Sequence, residues 1–128
     1  MREHKAKRLA EDFIFLEGAK WRDGRLWVSD VFDHKVYRLG LNGEREKIAD
    51  VPHRPSGLGF LPDGTPIGAS SKDFRLYRIT GAGIAEYADL TPFVGGDVND
   101  FTIDRSVGER LAVLLEGGGV DGDVFADG

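Results

Sequence analysis

Asp-Gly turns about forty residues apart, strands of alternating polar and apolar residues, and weak helical periodicity predict an all-β chain. The architecture they suggest is an incomplete β-propeller, with two full four-stranded-type blades and part of a third. In the first unit, Asp23-Gly24 favours a tight hairpin turn, because glycine takes positive φ without a Cβ clash. Arg25-Leu26-Trp27-Val28-Ser29-Asp30 follows as a strand, and Lys35-Val36-Tyr37-Arg38-Leu39 alternates polar and apolar residues as the next. Asn42-Gly43 turns the chain into a more exposed strand over Glu46 to Val51. A short apolar strand precedes the unit, within Phe13-Ile14-Phe15-Leu16 or Ala19-Lys20-Trp21.

The pattern then returns. Asp63-Gly64 matches Asp23-Gly24, Arg75-Leu76-Tyr77-Arg78-Ile79 matches the Lys35–Leu39 run, and Ala88-Asp89-Leu90 matches Ala49-Asp50-Val51. Gly57-Leu58-Gly59-Phe60-Leu61 supplies the preceding strand. A third unit starts at Asn99-Asp100-Phe101-Thr102-Ile103-Asp104. Several short strands per unit of about forty residues is the spacing of propeller blades. An antiparallel sandwich with evenly spaced hairpins is the alternative, but turn, strand and aromatic positions match together and favour blades. The division is an N-terminal arm over 1–12, blades over 13–51 and 52–96, a partial blade over 97–116 and an irregular Gly/Asp-rich tail over 117–128. Helical signal is confined to Glu3–Asp12, where Ala6, Leu9 and Ala10 suit at most a short amphipathic turn.

After Asp104 the repeat breaks down, since the expected Asp-Gly turn is missing from Arg105 to Leu115. The tail holds five glycines and three aspartates in twelve residues, so it is expected to fray. A shifted reading frame would account for that change of character. Propellers carry four to eight blades. A chain of about three is therefore expected to be a fragment, a frame-disrupted product or half of an assembly. Two copies closing a six-bladed ring by two-fold symmetry is the homodimer it suggests.

Composition narrows the function. Lys and Arg number 17 against 22 Asp and Glu, a net charge of −5, which argues against a nucleic-acid binder. The absence of cysteine excludes disulfides, thiolate zinc sites and cysteine nucleophiles. The longest apolar run, Leu111 to Leu115, is too short to span a membrane. Met1 to Asp12 is charged and lacks the apolar core of a secretory signal, so a cytoplasmic location is expected.

Phe15-Leu16-Glu17-Gly18-Ala19-Lys20-Trp21 with Asp23 to Asp30 and Val36-Tyr37-Arg38-Leu39 resembles the first blade of the regucalcin/gluconolactonase-like family. Arg54-Pro55-Ser56-Gly57-Leu58-Gly59-Phe60-Leu61-Pro62-Asp63-Gly64 resembles its second blade, and Val98-Asn99-Asp100-Phe101-Thr102-Ile103-Asp104 the start of its third. The resemblance covers residues 9 to 104. It implies a six-bladed propeller that holds a divalent cation, commonly Ca²⁺, near its channel and hydrolyses lactones of sugar acids or related esters. By the same resemblance Glu17 is a metal ligand, and Asn99 and Asp100 are substrate-binding candidates. Two further ligands and the general base belong to later blades and have no counterpart here, so whether the chain is an enzyme stays open. Ala19, where the family often has proline, and Val98 before Asn99 depart from its pattern.

The chemistry is consistent with that type of site, because a hard cation takes several oxygen ligands and polarises a carbonyl. Other readings remain for each residue. Glu17 suits a strand end, and Asn99-Asp100 an Asx-type turn. Trp21 and Trp27 read as blade core. His4, His34 and His53 show no metal-ligand spacing. Ser29-Asp30 and Ser70-Ser71 lack the strand–turn–helix setting of a hydrolase nucleophile, and the aspartates of the tail lack the closing glutamate of an EF-hand. The alternatives to a lactonase-like piece are a non-catalytic binding module and a fragment without function.

Overall fold

The computed structural model describes residues 4–91, 97–104, 110–115 and 119–125. Three antiparallel sheets follow one another along the chain. The first contains β1 (Leu16–Arg22), β2 (Arg25–Asp30), β3 (Lys35–Leu39) and β4 (Arg45–Asp50), in that order across the sheet. The second contains β5 (Pro55–Phe60), β6 (Pro66–Ser70), β7 (Arg75–Thr80) and β8 (Gly83–Asp89). The third contains β9 (Val98–Asp104), β10 (Arg110–Leu115) and β11 (Gly119–Phe125). The opening strands are neighbours, with β5 lying against both β1 and β9. No helix forms over residues 4–13, and among the described residues no helix is long and apolar enough to cross a membrane.

The two Asp-Gly turns that match in sequence differ in shape. Asp23 and Gly24 both take positive φ, 52° and 74°, the combination that lets a two-residue loop follow the twist of its strands. At the second, Pro62 holds φ negative and the reversal spans more residues. The Gly64 N–H donates to the Leu61 carbonyl at 2.8 Å, the Leu61 N–H to the Thr65 carbonyl at 2.9 Å, and only Gly64 has positive φ.

Burial on both faces of the strands comes from stacking of the sheets. Trp27, Val36, Ala49 and Val51 of the first pack on Leu58, Phe60, Tyr77 and Ile79 of the second. The Trp27 and Phe60 rings meet edge to face at 5.1 Å. Ile67, Ala69, Leu76 and Leu90 of the second sheet pack on Val98 and Phe101 of the third. Each fully buried Val, Leu or Ile among them contributes about 1.5–3 kcal/mol.

The other face of the first sheet, carrying Val28, Tyr37 and Leu39, has no sheet against it and is covered by Ala10 and Phe13 of the arm. Phe13 sits edge-on to Tyr37 at 5.6 Å. The Arg45 guanidinium lies 3.8 Å from the Phe13 ring and donates to the Glu11 carbonyl at 2.5 Å and the Asp12 carbonyl at 3.3 Å. The arm is thus a docked segment.

Two expectations are corrected. Trp27 is core, but Trp21 is 58% exposed. Trp21 pairs with Leu26, which shares the arm-covered face, and the cluster formed there by Ala10 and Phe13 does not include it. The Gly/Asp-rich tail is not irregular throughout, because β11 pairs with β10 from Arg110↔Phe125 to Leu115↔Gly119, with one register shift between Ala112 and Leu114. Its main-chain hydrogen bonds need little from the side chains, which is why a glycine-rich text hid a strand. The break expected just after Asp104 falls on 105–109, outside the described residues, as do residues 1–3 of the arm, the 92–96 stretch before the third sheet, and 116–118 and 126–128 around β11.

Candidate functional site

Each opening strand departs from regular pairing at the same place in the repeat. The shift lies between Glu17 and Lys20 on β1, between Pro55 and Leu58 on β5, and between Asp100 and Val98, across Asn99, on β9. Such bulges re-aim side chains and are frequent beside functional sites. They place Glu17, Ser56 and Asn99 at equivalent positions on adjacent strands, and all three line one cleft of about 290 Å³. Phe15, Val31, Phe32, Arg54, Ser71, Lys72 and Asp97 complete its walls. A neighbouring recess of about 220 Å³ is lined by Glu17, Gly18, Gly57, Asn99 and Asp100. The structure therefore brings Glu17, Asn99 and Asp100 together, although 82 residues separate Glu17 from Asn99 in the chain (99 − 17).

Glycine makes this convergence possible. Gly18 has φ of 69°, and a Cβ there would lie 2.6 Å from the Ser56 carbonyl, so only glycine lets β1 approach β5 so closely. A Cβ on Gly57 would overlap the Asp100 carboxylate. One Asp100 oxygen accepts the Phe101 N–H at 2.8 Å, which holds the carboxylate over Gly57. Ser56 is buried and its hydroxyl donates to the Val98 carbonyl at 3.2 Å, joining β5 to β9 beneath the cleft.

The approach to β1 is held from below. Asp30 is 1% exposed, and its two carboxylate oxygens accept the N–H groups of Ile14 and Phe15, each at 2.9 Å. The Val31 N–H donates to the Phe15 carbonyl at 2.9 Å. On the cleft wall the Lys72 ammonium is paired with the Asp97 carboxylate. The Arg54 guanidinium stacks 5.0 Å from the centre of the Phe32 ring.

The sequence pattern named Glu17, Asn99 and Asp100 but not Arg54, Ser56 or Asp30. Ser56 was accessible from the repeat, since Ser56-Gly57 occupies the positions of Glu17-Gly18 and Asn99-Asp100. Asp30 had no local signal, because its partners lie fifteen and sixteen residues upstream.

For a divalent cation the donor chemistry fits and the donor count is small. The Glu17 carboxylate and Asn99 amide are hard oxygen donors from separate strands, and the Asp100 carboxylate adjoins them. Among the described residues no three His, Cys, Asp or Glu gather as a metal-binding group. An ion held here would keep several of its positions for water or further oxygens.

No protein-family model matches the sequence, and no curated protein matches it significantly. Solved structures do. A protein proposed to be a gluconolactonase superposes with a TM-score of 0.65 at 18% identity, over 94% of this chain and 52% of that one. Virginiamycin B lyase from Staphylococcus aureus superposes with a TM-score of 0.61 at 16% identity, over 88% of this chain and 42% of the lyase. A catalytically inactive variant of that lyase, with quinupristin, gives 0.60 at 18% identity over 88% and 41%. This chain spans about half the length of these structures or less. At such identities the likeness establishes the fold, and the stacked sheets are β-propeller blades.

Proposed function

We propose that the cleft between the opening strands binds a divalent cation, Ca²⁺ by preference, together with a lactone or related ester, and serves lactone hydrolysis. The observation that carries this reading is the convergence of Glu17 and Asn99, at equivalent bulges of separate blades, on one small cleft. Glu17 and Asn99 would hold the ion. When bound, it polarises the carbonyl and favours attack by water. Asn99 and Asp100 would orient the substrate, with Asp100 kept in place by the Phe101 N–H and the close approach of Gly57. The general base is not assigned to any residue of this chain. Few protein oxygens imply weak cation affinity.

A second reading is a non-catalytic binding module. It is favoured by the lack of any three-residue acidic or histidine group among the described residues. Calorimetric titration with Ca²⁺, combined with a lactone hydrolysis assay on wild type and Glu17→Gln, decides between them. Cation-dependent turnover that Glu17→Gln abolishes supports hydrolysis, and ligand capture without cation or turnover supports the module. Turnover that Glu17→Gln leaves unchanged removes Glu17 from the site. Closure of a six-bladed ring by two copies is the assembly in which the cleft would be completed, and it would require the arm to leave the outer face of the first sheet. Light scattering tests it, and a monomeric mass with cooperative unfolding rejects it.

A further inference from the structure

We infer that Arg54 is the anion-recognition group of this cleft, and that the small molecule bound there carries a carboxylate in addition to its lactone or ester function. The inference rests on the reading of the cleft as a lactone site and specifies its substrate class.

Arg54 is placed by its backbone. Its φ is 73°, a left-handed conformation that side-chain-bearing residues rarely adopt and that gathers at functional positions. The Arg54 N–H donates to the Val51 carbonyl at 3.2 Å and its carbonyl accepts the Ser71 N–H at 2.8 Å, so the residue is held from both sides. Its guanidinium lies over Phe32, and Phe32 in turn lies 5.6 Å from Phe15. Both phenylalanines are about half exposed, at 47% and 49%, and line the cleft.

Within the cleft, charge pairing sets Arg54 apart from Lys72. Lys72, the other cation of the cleft, is matched by Asp97. Arg38 and Arg75 elsewhere on the sheets are matched by Glu46, Glu86 and Asp89. Arg54 forms no ion pair with any described residue, yet it faces the cleft that holds Glu17 and Asn99. An arginine stacked on an aromatic ring keeps its fork of donors oriented at little entropic cost, and that fork matches a carboxylate in two parallel hydrogen bonds. The exposed Phe15 and Phe32 rings offer an apolar surface beside it. The combination suits a single-ring lactone bearing a carboxylate, in a cleft at the small end of ligand pockets.

The test compares a γ-butyrolactone carboxylate with its carboxamide, which has the same ring and no charge. Each is titrated by calorimetry into wild type, Arg54→Gln and Arg54→Lys at low and high salt, with Ca²⁺ present and absent. Wild type is expected to bind the carboxylate about tenfold tighter, with the preference shrinking in high salt. Arg54→Gln is expected to lose the preference while keeping its affinity for the carboxamide, and Arg54→Lys to retain part of it. Equal binding of the two probes by wild type, no binding of either, or a preference that survives Arg54→Gln overturns the inference. If circular dichroism shows Arg54→Gln unfolded, the wild-type preference and its salt dependence decide. The two readings separate cleanly. A preference for the carboxylate without hydrolysis sinks only the lactonase reading, whereas hydrolysis of both probes with equal kcat/KM sinks only the role of Arg54.

Discussion

The buried Asp30 carboxylate accepts the main-chain N–H of Phe15 at 2.9 Å, and so ties the end of β2 to the segment that enters β1. Its second oxygen takes the neighbouring Ile14 N–H. Two charge-assisted bonds at one buried side chain set where the arm ends and where Phe15 and Glu17 reach the cleft. Asp30→Asn replaces one acceptor with a donor and leaves an N–H facing an N–H. We expect a loss of about 1.5–3 kcal/mol, read from urea unfolding. Unchanged stability would show that this tie is unimportant.

The arm covers the first sheet where no blade does. Phe13→Ala removes the contacts with Tyr37 and Arg45 and is expected to destabilise by about 1–2 kcal/mol. Deleting residues 1–13 uncovers Val28, Tyr37 and Leu39 and is expected to promote self-association in light scattering. A deletion variant that stays as dispersed as the parent would mean that the arm is dispensable.

Gly57→Ala puts a Cβ into the space of the Asp100 carboxylate. The expected cost is about 1–3 kcal/mol, with β5 and β9 forced apart at the cleft. Nuclear magnetic resonance shifts confined to the surroundings of Asn99 and Asp100 would locate the disturbance. Full wild-type stability and unshifted signals would contradict the close approach.

Tyr37 reports on the arm through pH. Burial first, and then its hydrogen bond to Asp33, push the Tyr37 hydroxyl up to about 12. Because the folded state resists ionisation, Tyr37 contributes stability that is fully present below the ordinary tyrosine value near 10 and is lost as pH rises toward about 12. Unfolding titrations from pH 9 to 12 are expected to fall more steeply for wild type than for Tyr37→Phe. Parallel curves would show that the hydroxyl ionises alike in both states.

Much of the site was legible because a repeat marks equivalent places. Glu17-Gly18 and Asn99-Asp100 stand out in sequence as polar residues beside the expected opening strands, and the three side chains share one recess. Arg54 was not legible, since an arginine before proline reads as ordinary loop text. Its significance depends on a left-handed φ, the ring of Phe32 and the absence of a described counter-ion. Trp21 misled for a related reason. An aromatic residue on a strand is core only if something packs on its side of the sheet.

By itself, then, the amino-acid text determined the local elements: hairpin turns at Asp23-Gly24 and Asp63-Gly64, strand alternation, and a period of about forty residues that makes stacked sheets. These follow from φ preferences and side-chain periodicity, which act over a few residues. Tertiary structure alone decided which faces are covered, that residues before Leu16 close the open side of the first sheet, and that Arg54 meets Glu17 and Asn99 in one cleft. Those outcomes depend on how sheets stack and where bulges aim side chains, interactions between residues tens of positions apart that no local pattern encodes.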